Sequence, residues 1–211
     1  MKIQITESQL RTIIGEGKQV GILYHFTDLK SALSILSNNT INGSMTSVVD
    51  DIRGEKAQQR NSVSFTRHKS FAGGTPIIVM KSLSVRFEID GNKLSNHYKI
   101  VPYNFFNKSK MKGWLNSTFI MHELFGPPLS QNEFEERIYM DKIPNISKYI
   151  IGITIDINRE LRKRDTEYKF EKSVDGKLPQ EEIDNIISDL NTLKNMYPDV
   201  KVINTPGNLG V

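Results

Sequence analysis

Leu23-Tyr24-His25-Phe26-Thr27 sits where an apolar run of strand formers gives way to helix-favouring residues. A histidine at such a junction can hydrogen-bond a ligand hydroxyl, the adjacent backbone amide and carbonyl can read a carboxamide, and the helix start favours an anionic group. The competing reading is a partly buried histidine bonded to a neighbouring carbonyl. In Ser62-Val63-Ser64-Phe65-Thr66-Arg67 hydroxyls line one face of a strand and a cation ends it, a pattern shared with any half-exposed strand. In Glu133-Phe134-Glu135-Glu136-Arg137-Ile138-Tyr139, side chains alternate across a strand. Phe134, Glu136 and Ile138 share one face, and Glu133, Glu135, Arg137 and Tyr139 share the other. Acids are poor strand formers, so a carboxylate required at that spot is one reason for them; a solvated edge with an Arg-Glu pair is another.

Much other chemistry is excluded. The chain has no cysteine, so disulfides, thiolate metal ligation and a cysteine nucleophile are impossible, which points to a reducing compartment. The imidazoles are His25, His68, His97 and His122, and His122-Glu123 lacks the second histidine of a zinc-protease helix. No metal site is expected. Gly15-x-Gly17 lacks the third glycine and the preceding strand of a dinucleotide fingerprint, and there is no phosphate-binding G-x-x-x-x-G-K-[ST] loop, G-x-S-x-G elbow or EF-hand loop. With 28 Lys and Arg against 24 Asp and Glu, the net charge of +4 permits acidic partners without marking a nucleic-acid coat. The longest apolar stretches, residues 76–80 and 149–155, fall far short of the roughly 18 residues of a membrane span. The basic N-terminus lacks an apolar signal region, so the sequence predicts a soluble cytoplasmic chain with no membrane partner.

The elements that must position these residues follow from periodicity. A Thr6–Gln9 capping box predicts a short helix over residues 7–15, an N-terminal appendage (residues 1–18) to a single domain (residues 19–211). Residues 20–26 read as a strand, and Thr27 or Asp28 caps a helix carrying Leu29, Ala32, Leu33, Ile35 and Leu36 that ends near Asn38 and Asn39. Residues 40–61 are polar and read as a mobile loop with at most one short helix, protease-sensitive over residues 44–60 and placed to border a site. Strands are expected at residues 62–66, 76–80 and 85–89, with a Gly73-Gly74 break and an Asp90-Gly91 turn. An aromatic stretch (97–106) and a helical or irregular insert (107–132) holding Trp114 precede strands at 134–140 and 149–157. A basic, polar stretch over residues 159–177 leads to Pro179, after which Ile183, Ile186, Ile187, Leu190 and Leu193 fall at helical spacing before a last strand at 200–203. Many short strands without regular strand-helix alternation argue for an α+β fold.

Taken in order, Tyr24-His25-Phe26-Thr27 running into a helix with Ile35-Leu36, Ser64-Phe65-Thr66-Arg67 after a polar loop, and Glu135-x-Arg137 on a late strand resemble the ADP-ribosyltransferase superfamily over residues 20–157. Within it the chain is similar to transferase-like proteins of tailed phages and, more distantly, to DNA-targeting toxins of toxin–antitoxin pairs. Asp90-Gly91-Asn92-Lys93-Leu94 followed by Tyr98, Lys99 and Pro102, and Glu135-Glu136-Arg137 followed by Pro144 and Tyr149-Ile150, carry that closer likeness.

The resemblance implies a split, curved antiparallel β core with peripheral helices, holding NAD between two half-sheets as the co-substrate of an ADP-ribosyl transfer that releases nicotinamide. His25 would bond the adenosine-side ribose or fix the nicotinamide end, the backbone of His25 and Phe26 would read the carboxamide, and Arg67 would face the diphosphate. Tyr24, Thr27, Ser64, Thr66 and Arg137 belong to the same NAD-binding segments, and Tyr98 or Tyr103 would stack on nicotinamide. A glutamate against the ribose 2′-hydroxyl would favour the positive charge growing on C1′. Matching Phe134-Glu135 to the family motif selects Glu135, keeps Phe134 on the core face and is preferred; matching backwards from Pro144 selects Glu136. The lack of an arginine at position 25 and of a Ser-Thr-Ser run disfavours the arginine-specific toxin branch. The acceptor would be DNA, RNA or an acidic protein surface in the host cytoplasm. Two alternatives stand beside this reading: an RNA 2′-phosphotransferase, for which only Arg67 and Lys69 supply the needed positive charge, and a non-catalytic phage or host interaction module on the same fold.

Overall fold

The computed structural model describes residues 21–45, 61–67, 69–71, 83–104, 134–172 and 177–206. Strand β1 (Ile22–Thr27) alternates Leu23, His25 and Thr27 with Tyr24 and Phe26, and Asp28 then caps α1 (Leu29–Asn38) by accepting the Ser31 N–H at 2.7 Å. Leu29, Ala32 and Ile35 form the buried stripe of α1, and Asn39, left-handed at φ 49°, ends it. After this come β2 (Thr40–Asn42), β3 (Ser44–Met45), β4 (Asn61–Thr66), β5 (Val85–Asp90), α2 (Gly91–Ser95), β6 (Val101–Asn104), β7 (Phe134–Ile138) and β8 (Lys142–Pro144). A 3₁₀ turn (Ile146–Lys148), β9 (Ile150–Asp156), α3 (Ile157–Lys172), α4 (Gln180–Met196) and β10 (Lys201–Ile203) complete the described chain.

The fold is mixed α+β. An eight-stranded sheet runs in the order β10-β9-β5-β1-β4-β7-β6 with β3 beside β4, and β2 pairs β8 separately. Only β10 and β9 are parallel among the described pairs. The pairing is uneven at the centre of the sheet. Six residue pairs join β1 to β5, from Ile22↔Asp90 to Thr27↔Val85, whereas Tyr24↔Thr66 alone joins β1 to β4. The β10-β9-β5-β1 and β4-β7-β6 halves thus meet at a short seam.

One face of the sheet carries the main core. Leu23, Val63, Phe65, Val85, Phe87, Ile89, Ile138, Ile153 and Ile155 meet the buried stripes of α1 and of α4 (Ile186, Leu190, Leu193). At roughly 25 cal/mol per Å² of apolar surface, burial of this contiguous set is the dominant favourable contribution to the fold. The opposite face carries a smaller cluster of Tyr24, Phe26 and Phe71.

Two sequence expectations are corrected, and one stretch read only as basic and polar gains a definite structure. The polar stretch from residue 40 does not begin as a loop: Ile41 is buried and pairs with Ile143, and β3 pairs with β4. Gly43 allows this, because a Cβ there would collide with the Met140 carbonyl oxygen. Asp90-Gly91 does not make a hairpin turn; Asp90 accepts the Lys93 N–H at 3.0 Å and caps α2. The stretch over residues 159–177 is largely helical, as α3. Its buried residues beyond Ile157 are Glu160 and Arg164, so the stripe that packs inward is charged and gives no apolar period. The appendage over residues 1–18, the loop over residues 46–60, the strand at 76–80 and the insert at 107–132 lie outside the described residues.

Candidate functional site

The seam between β1 and β4 is where three of the candidate residues converge. Cross-strand partners share a face, so Phe65↔Glu136 and Val63↔Ile138 put Glu136 on the main-core side of β7. Two residues beyond Phe65, the Arg67 side chain reaches the same side, its Nε and Nη2 each 2.8 Å from Glu136 Oε1. His25 faces this side too, its ring centroid 5.8 Å from that of Phe65 and 6.4 Å from that of Phe87. His25, Arg67 and Glu136, from segments far apart in sequence, therefore share one face.

His25 Nδ1 donates to the Ser64 carbonyl at 3.0 Å, and because a carbonyl can only accept, the neutral ring keeps Nε2 as a hydrogen-bond acceptor. Burial pushes the His25 pKa below the ordinary histidine value, against the Ser64 bond, so the ring is neutral at pH 7. The bond bridges β1 and β4 beside their single backbone pair. It matches the carbonyl-satisfied histidine of the plain reading and also sets the tautomer that a ligand hydroxyl would meet. The Glu136 side chain is 2% exposed and that of Arg67 47% exposed. Burial pushes the Glu136 carboxyl above the usual carboxylate range, and the Arg67 guanidinium pulls it back in part.

Other predicted site residues fall elsewhere. The register sets Glu135 opposite Thr66 and Tyr103, one residue out of phase with Glu136. Ser64 pairs with Arg137, and both alternate with Phe65 and Glu136 onto the other face. Tyr24 and Phe26 lie on that second face as well. Phe26 packs edge-to-face on Phe71 at 5.2 Å, and the Arg86 guanidinium lies 5.3 Å from the Tyr24 ring centre. Any part of Phe26 in reading a ligand on the His25 face is left to its backbone. Thr27 is buried at the end of β1 beside the cap of α1. Tyr98 packs against His97 and Tyr149, edge-to-face with the latter at 6.2 Å, within the aromatic edge of the core.

Sequence reasoning missed a second buried charged cluster. Glu160 accepts from Ser84 Oγ and, at 3.1 Å, from Arg164 Nε, and Arg164 continues to Asp189 at 3.2 Å. The four-residue spacing of Glu160 and Arg164 on a helix was its only signal in the sequence. Among the described residues no group of three or more His, Asp or Glu could hold a metal ion, and no helix is long and apolar enough to cross a membrane. In comparisons with known proteins, no family model matches the chain, and no curated protein or solved structure gives a significant match.

Proposed function

We propose that the chain is an NAD-dependent ADP-ribosyltransferase with a split-sheet core, in which Glu136 is the carboxylate that stabilises the reacting ribose. The observation that carries this reading is the convergence of a buried carboxylate, a cation and a neutral imidazole acceptor on one face of a sheet whose halves meet at one residue pair. Cleavage of the bond between ribose C1′ and the nicotinamide nitrogen leaves positive charge on the ribose and an electron pair on the departing base. A carboxylate accepting a hydrogen bond from the 2′-hydroxyl gains strength as that charge grows, the condition for raising kcat. Burial adds to the effect, since attraction is stronger away from water. Arg67 carries the charge complementary to a diphosphate, and His25 Nε2 accepts from a ribose hydroxyl. The acceptor of ADP-ribose is a nucleic acid or an acidic protein surface, in keeping with a net charge of +4.

Release of labelled nicotinamide from NAD by the full chain, with and without DNA, RNA or protein acceptors, tests the proposal. Glu136→Gln is expected to fold normally and to lose release by about two to four decades, while Glu135→Gln stays near wild type. The reverse pattern would move the role to Glu135, and no effect from either would end the enzyme reading. A second reading has its own observation: Arg67 already occupies the carboxylate, as in a cleft that binds without reacting. NAD binding without nicotinamide release would select it.

A further inference from the structure

We infer that Arg67 is a specificity-determining cover on Glu136, drawn aside by an anionic diphosphate and left closed by substrates that lack one; this rests on the ADP-ribosyltransferase reading above. The pair is asymmetric. Both Nε and Nη2 of Arg67 converge on Oε1, so one oxygen of a nearly sealed carboxylate takes two donors from a side chain half open to solvent. The exposed partner is the one able to move, because leaving costs it little desolvation, whereas Glu136 is fixed in β7 between Phe65 and Pro102 in the register. A planar guanidinium fork matches phosphate oxygens as well as a carboxylate, and a diphosphate offers more charge than one glutamate.

The exchange does two things at once. It anchors the ligand's anionic bridge, and it uncovers Glu136 for the ribose hydroxyl at the moment a diphosphate arrives. A nucleoside without phosphates brings no anion to compete with Glu136 for the guanidinium, so it must displace the ion pair unaided, and its reaction is slowed by the scarcity of the open form. Arg67 then sets the preference for a dinucleotide through exclusion as well as attraction.

The test compares nicotinamide release from NAD and from nicotinamide riboside by the wild-type chain, Arg67→Gln and Arg67→Lys, all at one pH. In Arg67→Gln, kcat/KM for NAD is expected to fall about 10- to 100-fold with the loss of a charged hydrogen-bond donor. For the riboside it is expected to rise about two- to fivefold, because no cover has to be displaced. Arg67→Lys, which keeps the charge and loses the fork, is expected to fall between the two on both substrates. An arginine that only binds diphosphate would leave the riboside rate unchanged in Arg67→Gln, and one that only supports the fold would lower both rates. Either result overturns the cover while leaving the enzyme reading intact. Wild-type protein that releases no nicotinamide from NAD overturns both together.

Discussion

Among the described residues two glutamates are buried against an arginine, and the two pairs differ in how far the arginine is enclosed. Glu160 is 0% exposed, and its partner Arg164 has a side chain only 8% exposed that is also tied to Asp189 and Glu182. Ser84 Oγ supplies a further donor to Glu160. Glu136 is just as buried, but its partner Arg67 stands at the end of β4 with half of its side chain in solvent. The first pair is enclosed at both ends and joins Ser84, just before β5, to α3 and α4. The second is enclosed at one end only. Burial of a carboxylate is therefore a poor guide to function by itself, and what distinguishes the two pairs is the exposure of the arginine.

The sharpest way to break this comparison is to remove each arginine. Arg164→Ala leaves Glu160 sealed without its cation, and a loss of about 3–5 kcal/mol is expected. Arg67→Ala removes a half-exposed group and opens Glu136 to water, so a loss of about 1 kcal/mol is expected, discounted for solvent screening. Urea denaturation at pH 7 measures both. Equal losses would erase the distinction between the pairs.

The pH dependence of stability sharpens it further. His25 has a folded pKa below its ordinary value of about 6.5 because burial favours the neutral ring. Its contribution is present above that value and is lost as pH falls towards the folded pKa, with a slope of at most about 1.4 kcal/mol per pH unit. Glu136, raised by burial, acts in the opposite sense: it supports the fold below the usual carboxylate range and withdraws that support as pH rises through its folded pKa. Denaturation of wild type, His25→Gln and Glu136→Gln from pH 4 to 8 separates the two. A His25→Gln profile parallel to wild type between pH 5 and 6.5 would show that the ring is not held neutral. On the proposed function, in which His25 meets a ribose hydroxyl throughout the reaction, His25→Ala is expected by NAD titration to weaken binding about tenfold with little change in kcat.

Local pattern made some of this legible in the sequence. The apolar stripes of α1 and α4 and the alternation of β5 follow from residues a few positions apart, and the structure has them. Helix α3 was hidden because Glu160 and Arg164 occupy positions where a periodicity search looks for leucine. The alternation of Glu135 and Glu136 could be read, but which of them shares a face with His25 depends on the partner strand. Phe65 opposite Glu136 settles that, and no rule local to residues 133–139 contains it. His25 was visible as a candidate, whereas its bond to Ser64 spans 39 residues and needs the fold.

The smallest expected effect tests whether the two regions are energetically separate. Asp28 stands between them: it follows β1, caps α1 through Ser31 N–H at 2.7 Å, and meets Lys163 of α3 at 3.5 Å. Burial works against its charge, but the Ser31 bonds and Lys163 outweigh this and hold its carboxyl below the usual range. Its contribution is thus present above the ordinary carboxylate pKa and lost as pH falls through the folded value. Asp28→Ala removes one cap and one partly exposed ion pair, for an expected loss of about 1 kcal/mol at pH 7 that shrinks towards pH 3. Substituting Asn keeps the cap acceptor and should recover most of it, since the cap outweighs the screened ion pair. If the seam and the α3 cluster are independent, the losses of Asp28→Ala and Arg67→Ala add to within about 0.5 kcal/mol and the affinity for NAD is unchanged by Asp28→Ala. A larger coupling, or a weakened NAD complex, would mean that the enclosed cluster helps to set the geometry of the open one, and the separation drawn between the two glutamates would have to be given up.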